Sequence, residues 1–445
     1  MSKLPMEGIR ILEFGQLLAV PHATKLLCDM GAAVIKVETT VRLNAHRSSS
    51  FLDNEPGQQF WNRAANYNDQ NRNKLEITLD LTKPEGRKAA QELAMISDIV
   101  CENFTSRVMR NFGLDYDSLS KLKPDIIMLS STGYGHTGPW AGYSAAGSTT
   151  EAASGLLWIT GYPDRLPRLP SIPYTDFVGA QHGAFAIMAA LHYRQLTGKG
   201  QLIDLSQSET ASAQIGEVLL DYIANGHSQE RTGNRHPYMA PHGCYPCAGD
   251  DQWVGIAVGT EEEWQGLCAA MDKPDWSAAP RFATPLLRHQ NQDEMDRRVS
   301  AWTSQRDHYE VMRLLQEHGV PAGAVLTNKE LLLDPHYKAR EFFQIVEHAP
   351  ESGIGRRPYP GVAWRFSKTP GSLRHPAPLL GQDNERILSE LLGRSGKEIE
   401  ELAAAGVTGK APTRAAPPRA PSLEAQKKSG AITDYDPDYK AILGI

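Results

Sequence analysis

The feature that most constrains this chain is a regular alternation of short apolar runs with helical stretches through its first third. An apolar run from Ile9 to Phe14 is followed by a helical stretch from Pro21 to Met30, a stop at Gly31 and a second apolar run from Ala33 to Val37. The pattern then repeats, with Leu75 to Leu81 as strand, Pro84 to Ile96 as a helix opened by Pro and Glu, and Asp98 to Cys101 as strand. A short helix beginning at Tyr116 precedes a further strand, Asp125 to Ser131. Strands joined through helices return in the same direction, so the expected fold class is α/β, with a parallel sheet covered by helices.

The later chain departs from this rhythm. Phe177 to Arg194 reads as one long helix that ends in the turn TGKGQ, Thr197 to Gln201. Between 225 and 330, short strands from Tyr238 to Val258 are broken by Gly243, Gly249 and Asp250-Asp251, and Glu261 to Met271 and Gln292 to Trp302 look helical. A chain of 445 residues exceeds what one core serves, and about two or three domains are expected. The reading is a large domain over 1–224, a smaller α+β domain over 225–330 and a return to the large domain over 331–408, where Glu385 to Leu392 and Lys397 to Ala405 look helical. Residues 409–445 are a linker, KAPTRAAPPRAPS, and a tail whose closing DYDPDYKAILGI is apolar and aromatic enough to dock.

Composition narrows the function classes. With 41% hydrophobic and 22% charged residues the chain can bury a sizeable core, and a net charge of -6 argues against a nucleic-acid partner. Five cysteines, unevenly spaced, make no disulfide framework and fit a reducing compartment. Neither a secretory leader nor a run of about eighteen apolar residues occurs, so no membrane partner and a cytoplasmic location are expected.

Several motifs invite a functional reading and fail on context. Gly133 to Gly138 spells GxGxxG after a strand, but Pro139, Trp140 and Gly142 stand where a phosphate-binding helix should begin. The first βα turn, FGQLLAVP, lacks the glycines that admit a pyrophosphate, which leaves Glu38 as either a ribose-binding acid or a solvated strand end. Cys244 and Cys247 form a single CxxC near His236 and His242, which two cysteines flanking a hairpin explain without a metal. No GxSxG nucleophile elbow is present.

The segment richest in chemistry is SIPYTDFVGAQHGAFAIMAALHYRQLTGKGQ, residues 171–201. Pro173 holds the approach extended, and Asp176 stands where a helix N-cap belongs. Gly179, Ala180, Gly183 and Ala184 recur at helical spacing as a small-residue face, with Ile187, Met188 and Leu191 as a buried stripe. A cap and a nucleophile are compatible roles, because a helix N-terminus favours the ionised carboxylate.

This segment resembles the active-site region of class III CoA-transferases, the formyl-CoA transferase or CaiB/BaiF family. The resemblance recurs in GIRILEFGQLLAVPHATKLLCDMGAAVIKVE (8–38), NRNKLEITLDLTKPEGR (71–87), ENFTSRVMRNFGLDY (102–116), SSTGYGHTGPWAGY (130–143), ERTGNRHP (230–237), GVPAGAV (319–325) and APLLGQ (377–382). It implies a Rossmann-like large domain with a smaller domain and an interlocked homodimer. It also implies coenzyme A and acyl-CoA as substrates with a carboxylic acid, no metal or redox cofactor, and Asp176 as the residue that carries the acyl group and then CoA.

By the same resemblance CoA lies against Leu18 and Ala19, Leu79 and Asp80, Asn103 and Phe104, and Gly133 and Tyr134. The family's basic residues are replaced by Thr39 and Asn111, so Arg110, near Arg107, is the expected phosphate partner, with Lys74 as an alternative whose other reading is a solvated strand start. Gly135, Gln16 and His182 are further local donors, His182 reading first as a packed helix histidine. The glycine-rich flap of formyl-CoA transferase has no counterpart around 240–260, which disfavours formate and oxalate. Trp158, Tyr162 and Tyr174 suggest a larger acyl group or simply core. An α-methylacyl-CoA racemase is the rival reading; the histidine such enzymes use would fall at Ser148. A non-catalytic CoA-binding subunit is the third.

Overall fold

A computed structural model describes residues 4–105, 107–414, 418 and 420–445. Strands β1 (Arg10–Glu13), β2 (Ala33–Glu38), β3 (Leu75–Thr78), β4 (Ile99–Glu102), β5 (Ile127–Thr132) and β6 (Leu202–Ser206) form one six-stranded sheet. Every pair is parallel and the order is β3-β2-β1-β4-β5-β6, that of a Rossmann sheet. The strand LIDLS of β6 is an addition to the sequence reading: as an edge strand it has an exposed start and lacks the continuous apolar run of its neighbours.

Adjacent strand residues divide between the two faces. Leu12, Ile35, Val100 and Met128 pack with Ala90 and Leu93 of helix Pro84–Met95. Their neighbours Ile11, Val34, Ile99 and Ile127 pack on the other face with Val20 and Leu27 of helix Ala19–Asp29, and with Ala180, Ala184 and Ile187 of helix Tyr174–Thr197. Each fully buried aliphatic side chain contributes about 1.5–3 kcal/mol, so these two layers are the main source of cohesion. The small-residue face of helix Tyr174–Thr197 lies against the sheet: a Cβ at Gly183 would stand 3.1 Å from Leu129 Cδ2. Met188, expected in the buried stripe, is instead 47% exposed, because one face of a 24-residue helix cannot hold both it and Ile187.

The chain divides into two compact units, one of Met1–Leu156, Pro170–Gly216 and Pro335–Ile445, the other of Leu157–Leu169 and Glu217–Asp334. The second unit holds an antiparallel sheet of β7 (His242–Pro246), β8 (Trp253–Ala257) and β9 (Ala322–Ala324). Helices Glu261–Ala270, Gln292–Thr303 and His308–Glu317 close its core around Trp264, Leu267, Val299, Val311 and Leu315. Trp158 and Tyr162 belong to this unit: Trp158 donates to the Gln229 carbonyl at 3.0 Å, and the Tyr162 ring fills the space beside Gly233.

In the first unit the stretch expected as helix from Glu385 is a short turn, Asn384–Arg386, that runs into a π turn, Ile387–Leu391. Residues 415–417 and 419 of the Pro/Ala-rich linker lie outside the described residues. The tail beyond them forms helices Leu423–Lys428 and Tyr439–Leu443 and docks on the loop at 53–54. Asn54 donates to the Pro421 carbonyl at 2.7 Å, and Asp53 binds Lys440 at 3.2 Å, Arg357 at 2.8 Å and the Tyr439 hydroxyl.

Candidate active site

The crevice that a Rossmann sheet offers lies at the C-terminal ends of β1 and β4, where the strand order reverses. Here the two following loops are tied to each other. The Gln16 N–H donates to Asn103 Oδ1 at 2.8 Å, and Asn103 Nδ2 donates back to the Gln16 carbonyl at 2.8 Å. Leu17 follows with φ +57°, an unfavourable conformation for a leucine, and its N–H donates to Asn44 Oδ1 at 3.3 Å. Leu18 then caps helix Ala19–Asp29.

A charged layer lies beneath this turn. Glu13 binds Lys36 at 2.8 Å and Lys74 at 2.8 Å, all three side chains fully buried, and accepts the Thr24 hydroxyl at 2.6 Å. Two ammoniums hold the Glu13 carboxyl down at about 2 against its burial. Burial, with one carboxylate shared between two cations, brings Lys74 down to about 8. Lys74 is therefore neither a phosphate partner nor a solvated strand start. Glu38 likewise is no solvated strand end: it is buried and paired with Arg47, whose Nε lies 2.9 Å away.

Along the same edge, Glu102 at the end of β4 is 2% exposed. It accepts the Phe104 N–H at 2.7 Å and the Ser130 hydroxyl, and Ser130 Oγ also meets His136 Nε2. The His136 N–H lies 3.1 Å from both carboxylate oxygens of Asp204 on β6. Burial raises Glu102 to about 7, the Ser130 and Phe104 hydrogen bonds oppose this, and Asp204 adds to it. The loop after β5 starts at Gly133, where a Cβ would overlap Ala145, and Gly135 holds φ +79°. Helix Gly147–Ala153 begins only after this loop, so the GxGxxG spacing leads into no phosphate-binding helix. Tyr134 packs edge-on to Trp140 at 5.6 Å and Tyr143 at 6.5 Å between ring centres.

Asp176 stands beyond β5 and β6. It is the third residue of helix Tyr174–Thr197 rather than its N-cap, because the helix starts directly after Pro173. Its Oδ1 accepts Gln207 Nε2 at 3.1 Å, from the first residue of helix Gln207–Ser212. Its Oδ2 occupies the space a side chain at Gly147 would need, 3.0 Å from an ideal Cβ there. The carboxylate thus sits among the first turns of three helices. Burial is the largest influence and raises its pKa, the Gln207 hydrogen bond lowers it, and the charge of Glu151 raises it, with a result of about 6. The expectation that the helix N-terminus holds this group firmly ionised gives way to burial.

Leu18, Ala19, Asn103, Phe104, Gly133 and Tyr134 therefore share one edge of the sheet with Asp176. Leu79 and Asp80 do not join them as an open surface. Both are buried, the Asp80 N–H donates to the Val407 carbonyl at 2.8 Å, and the Asp80 carboxylate is taken by Thr82 at 2.6 Å. Arg110 is exposed and lies 3.6 Å from the equally exposed Asp117. His182 is exposed two turns along the helix from Asp176, with its Nδ1 2.9 Å from the Val178 carbonyl. Cys244 is exposed and Cys247 buried, and among the described residues no group of His, Cys, Asp and Glu is arranged to hold a metal.

Sequence reasoning passed over Gln207, Gly147 and Glu151. Gln207 follows the unrecognised β6, and the stretch holding Gly147 and Glu151 carries no signal beyond a small-residue helix start.

Comparison with known proteins adds a second line of observation. The model of CoA-transferase family III matches residues 6–384. The succinyl-CoA–D-citramalate CoA-transferase of Chloroflexus aurantiacus is 36% identical over 400 residues, which cover 90% of this chain and 97% of that one. The succinyl-CoA:glutarate CoA-transferase of Homo sapiens is 31% identical over 408 residues, covering 91% and 90%. Among solved structures, a CaiB/BaiF family protein from Brucella suis superposes with a TM-score of 0.79 at 31% identity and covers 88% of this chain and 100% of that one.

Proposed function

Since this chain belongs to CoA-transferase family III and is a class III CoA-transferase, we propose that it moves CoA from succinyl-CoA to a small dicarboxylic acid with Asp176 as the covalent nucleophile. The observation that carries this reading is the placement of one half-buried carboxylate, held by Gln207, among three helix N-termini at the edge where the sheet presents its strand ends. With a pKa of about 6, roughly nine-tenths of the group is ionised at neutral pH.

The reaction balances in four exchanges. The Asp176 carboxylate attacks the thioester carbonyl, the C–S bond breaks, and an aspartyl-acyl anhydride and CoA thiolate form. The thiolate attacks the aspartyl carbonyl, giving an aspartyl-CoA thioester and releasing the donor acid. The acceptor carboxylate displaces the thiolate to form a second anhydride, and the thiolate attacks the acceptor carbonyl, which frees Asp176. Each step exchanges carboxyl derivatives of similar energy, which is the advantage of covalent catalysis here.

In this reading the pantetheine arm runs over Gly133, Tyr134, Asn103 and Phe104 toward Leu18 and Ala19. Three strand spacings, about 14 Å, separate β1 from β6, a span suited to an extended thiol arm. The partner is a second copy of the chain, a reading supported by the apolar side chains Phe185, Tyr193 and Leu196 that helix Tyr174–Thr197 turns outward. Five free cysteines support a reducing, cytoplasmic setting.

The test is an exchange assay with succinyl-CoA and a panel of dicarboxylic acids, followed by mass spectrometry of new thioesters, with a chiral 2-methylacyl-CoA as the racemase control. Asp176→Ala is expected to abolish exchange, and hydroxylamine quenching of the wild type to leave a hydroxamate at Asp176. Exchange at the wild-type rate in Asp176→Ala would sink the mechanism.

A further inference from the structure

We propose that Glu151 is a positioning residue for the nucleophile: from helix Gly147–Ala153 it caps the first turn of helix Tyr174–Thr197, two residues before Asp176. The proposal rests on the reading of Asp176 as the nucleophile.

Helix Tyr174–Thr197 opens on Pro173, which offers no capping side chain of its own. Its first N–H is nevertheless used: Tyr174 donates to Glu151 Oε1 at 2.7 Å, so the cap comes from a different helix. Two further bonds fix the same pair of helices, Thr150 Oγ1 with Thr175 Oγ1 at 2.8 Å and Thr175 Oγ1 to the Gly147 carbonyl at 3.2 Å. Asp176, next in the chain, is thereby seated against Gly147. Glu151 is 1% exposed.

Capping alone does not call for a charge. A neutral amide or hydroxyl would accept the Tyr174 N–H equally well and cost less to bury. The charge has a second effect, which is to oppose ionisation of Asp176 and so make its carboxylate more basic and more nucleophilic. Other titratable groups on the packed elements are placed differently. Glu209 on helix Gln207–Ser212 is exposed. Lys25 and Asp29 on helix Ala19–Asp29 are paired with Asp69 and Arg72, and Asp204 is held by His136. His22 stands edge-on to Phe177 at 4.9 Å and, brought down to about 4 by burial, stays neutral from pH 5 to 8.

The test compares wild type, Asp176→Ala, Glu151→Gln and Glu151→Ala in the exchange assay from pH 5 to 8, with KM for succinyl-CoA measured at each pH. Glu151→Gln retains an acceptor for Tyr174 but not the charge, so the acidic limb of kcat should move below the wild-type value of about 6, by only part of the rise because burial remains, with KM unchanged. Glu151→Ala loses the cap as well, so the melting temperature should fall and kcat should fall below that of Glu151→Gln. If Glu151→Gln matches wild type in limb and kcat while Asp176→Ala is inactive, the proposal is wrong and the nucleophile stands. If Asp176→Ala is active, both are wrong. Should Glu151→Ala fail to fold, the isosteric Glu151→Gln decides alone.

Discussion

Replacing Gln207 by leucine should move the pH dependence of exchange in the direction opposite to Glu151→Gln. The amide donates to Asp176 Oδ1 at 3.1 Å, and this is the influence that counters burial. A hydrogen bond to a charged group is worth about 1.5–3 kcal/mol, and about 1.4 kcal/mol corresponds to one pKa unit, so its loss should raise Asp176 by roughly 1–2 units. The acidic limb then moves from about 6 to roughly 7–8. At pH 6.5 about three quarters of the wild-type Asp176 carboxylate is ionised, against about a tenth in a variant with a pKa near 7.5, and under the proposed mechanism exchange should fall by about eightfold. Above about pH 9 both are ionised and the rates should converge. The assay is kcat/KM for exchange across pH 5 to 9.5, with a melting curve to confirm folding. An unmoved limb, or a loss of equal size at every pH in a folded variant, would refute the reasoning.

Glu13→Gln should destabilise the protein by about 3–5 kcal/mol in urea unfolding, because it leaves the Lys36 and Lys74 ammoniums buried without their counter-charge; a loss under 1 kcal/mol would contradict this. Glu102, raised to about 7 in the folded state, binds a proton that the unfolded chain releases near 4.5, so its share of stability is complete below pH 4.5 and is lost as pH rises through 7. Glu102→Gln should therefore flatten a decline of about 3 kcal/mol across that window, and an unchanged slope would exclude it. Gly183→Val, which forces branched carbons toward Leu129, should cost about 1–3 kcal/mol and lower the melting temperature.

What the sequence made legible follows from how local each signal is. Strands β1 to β5 are runs of apolar residues bounded by turns, and their burial on both faces is written into consecutive positions such as Ile11-Leu12 and Ile99-Val100. β6 was not, since its first three residues, interrupted by Asp204, are not buried and show only a partial apolar run. Asp176 was visible because its segment carries a recognisable pattern. Its partners were not: Gln207 lies 31 residues further along and Glu151 bonds a backbone N–H 23 residues away, and no local rule joins them. Lys74 was misread for the same reason. A lysine at a strand start is ordinarily solvated, and only the tertiary position of Glu13, 61 residues earlier, makes its burial affordable.

The tie between Gln16 and Asn103 has one more consequence. Lys36 holds the Gly15 carbonyl at 2.7 Å, Asn103 takes both the donor and the acceptor of Gln16, and Asn44 takes the Leu17 donor. The turn that grips a pyrophosphate in dinucleotide enzymes is here committed to its own neighbours before any ligand arrives. A pyrophosphate brought to this turn finds its peptide groups already engaged. Introducing glycines into FGQLLAVP would not by itself convert this crevice into a dinucleotide site while Asn44, Asn103 and Lys36 remain.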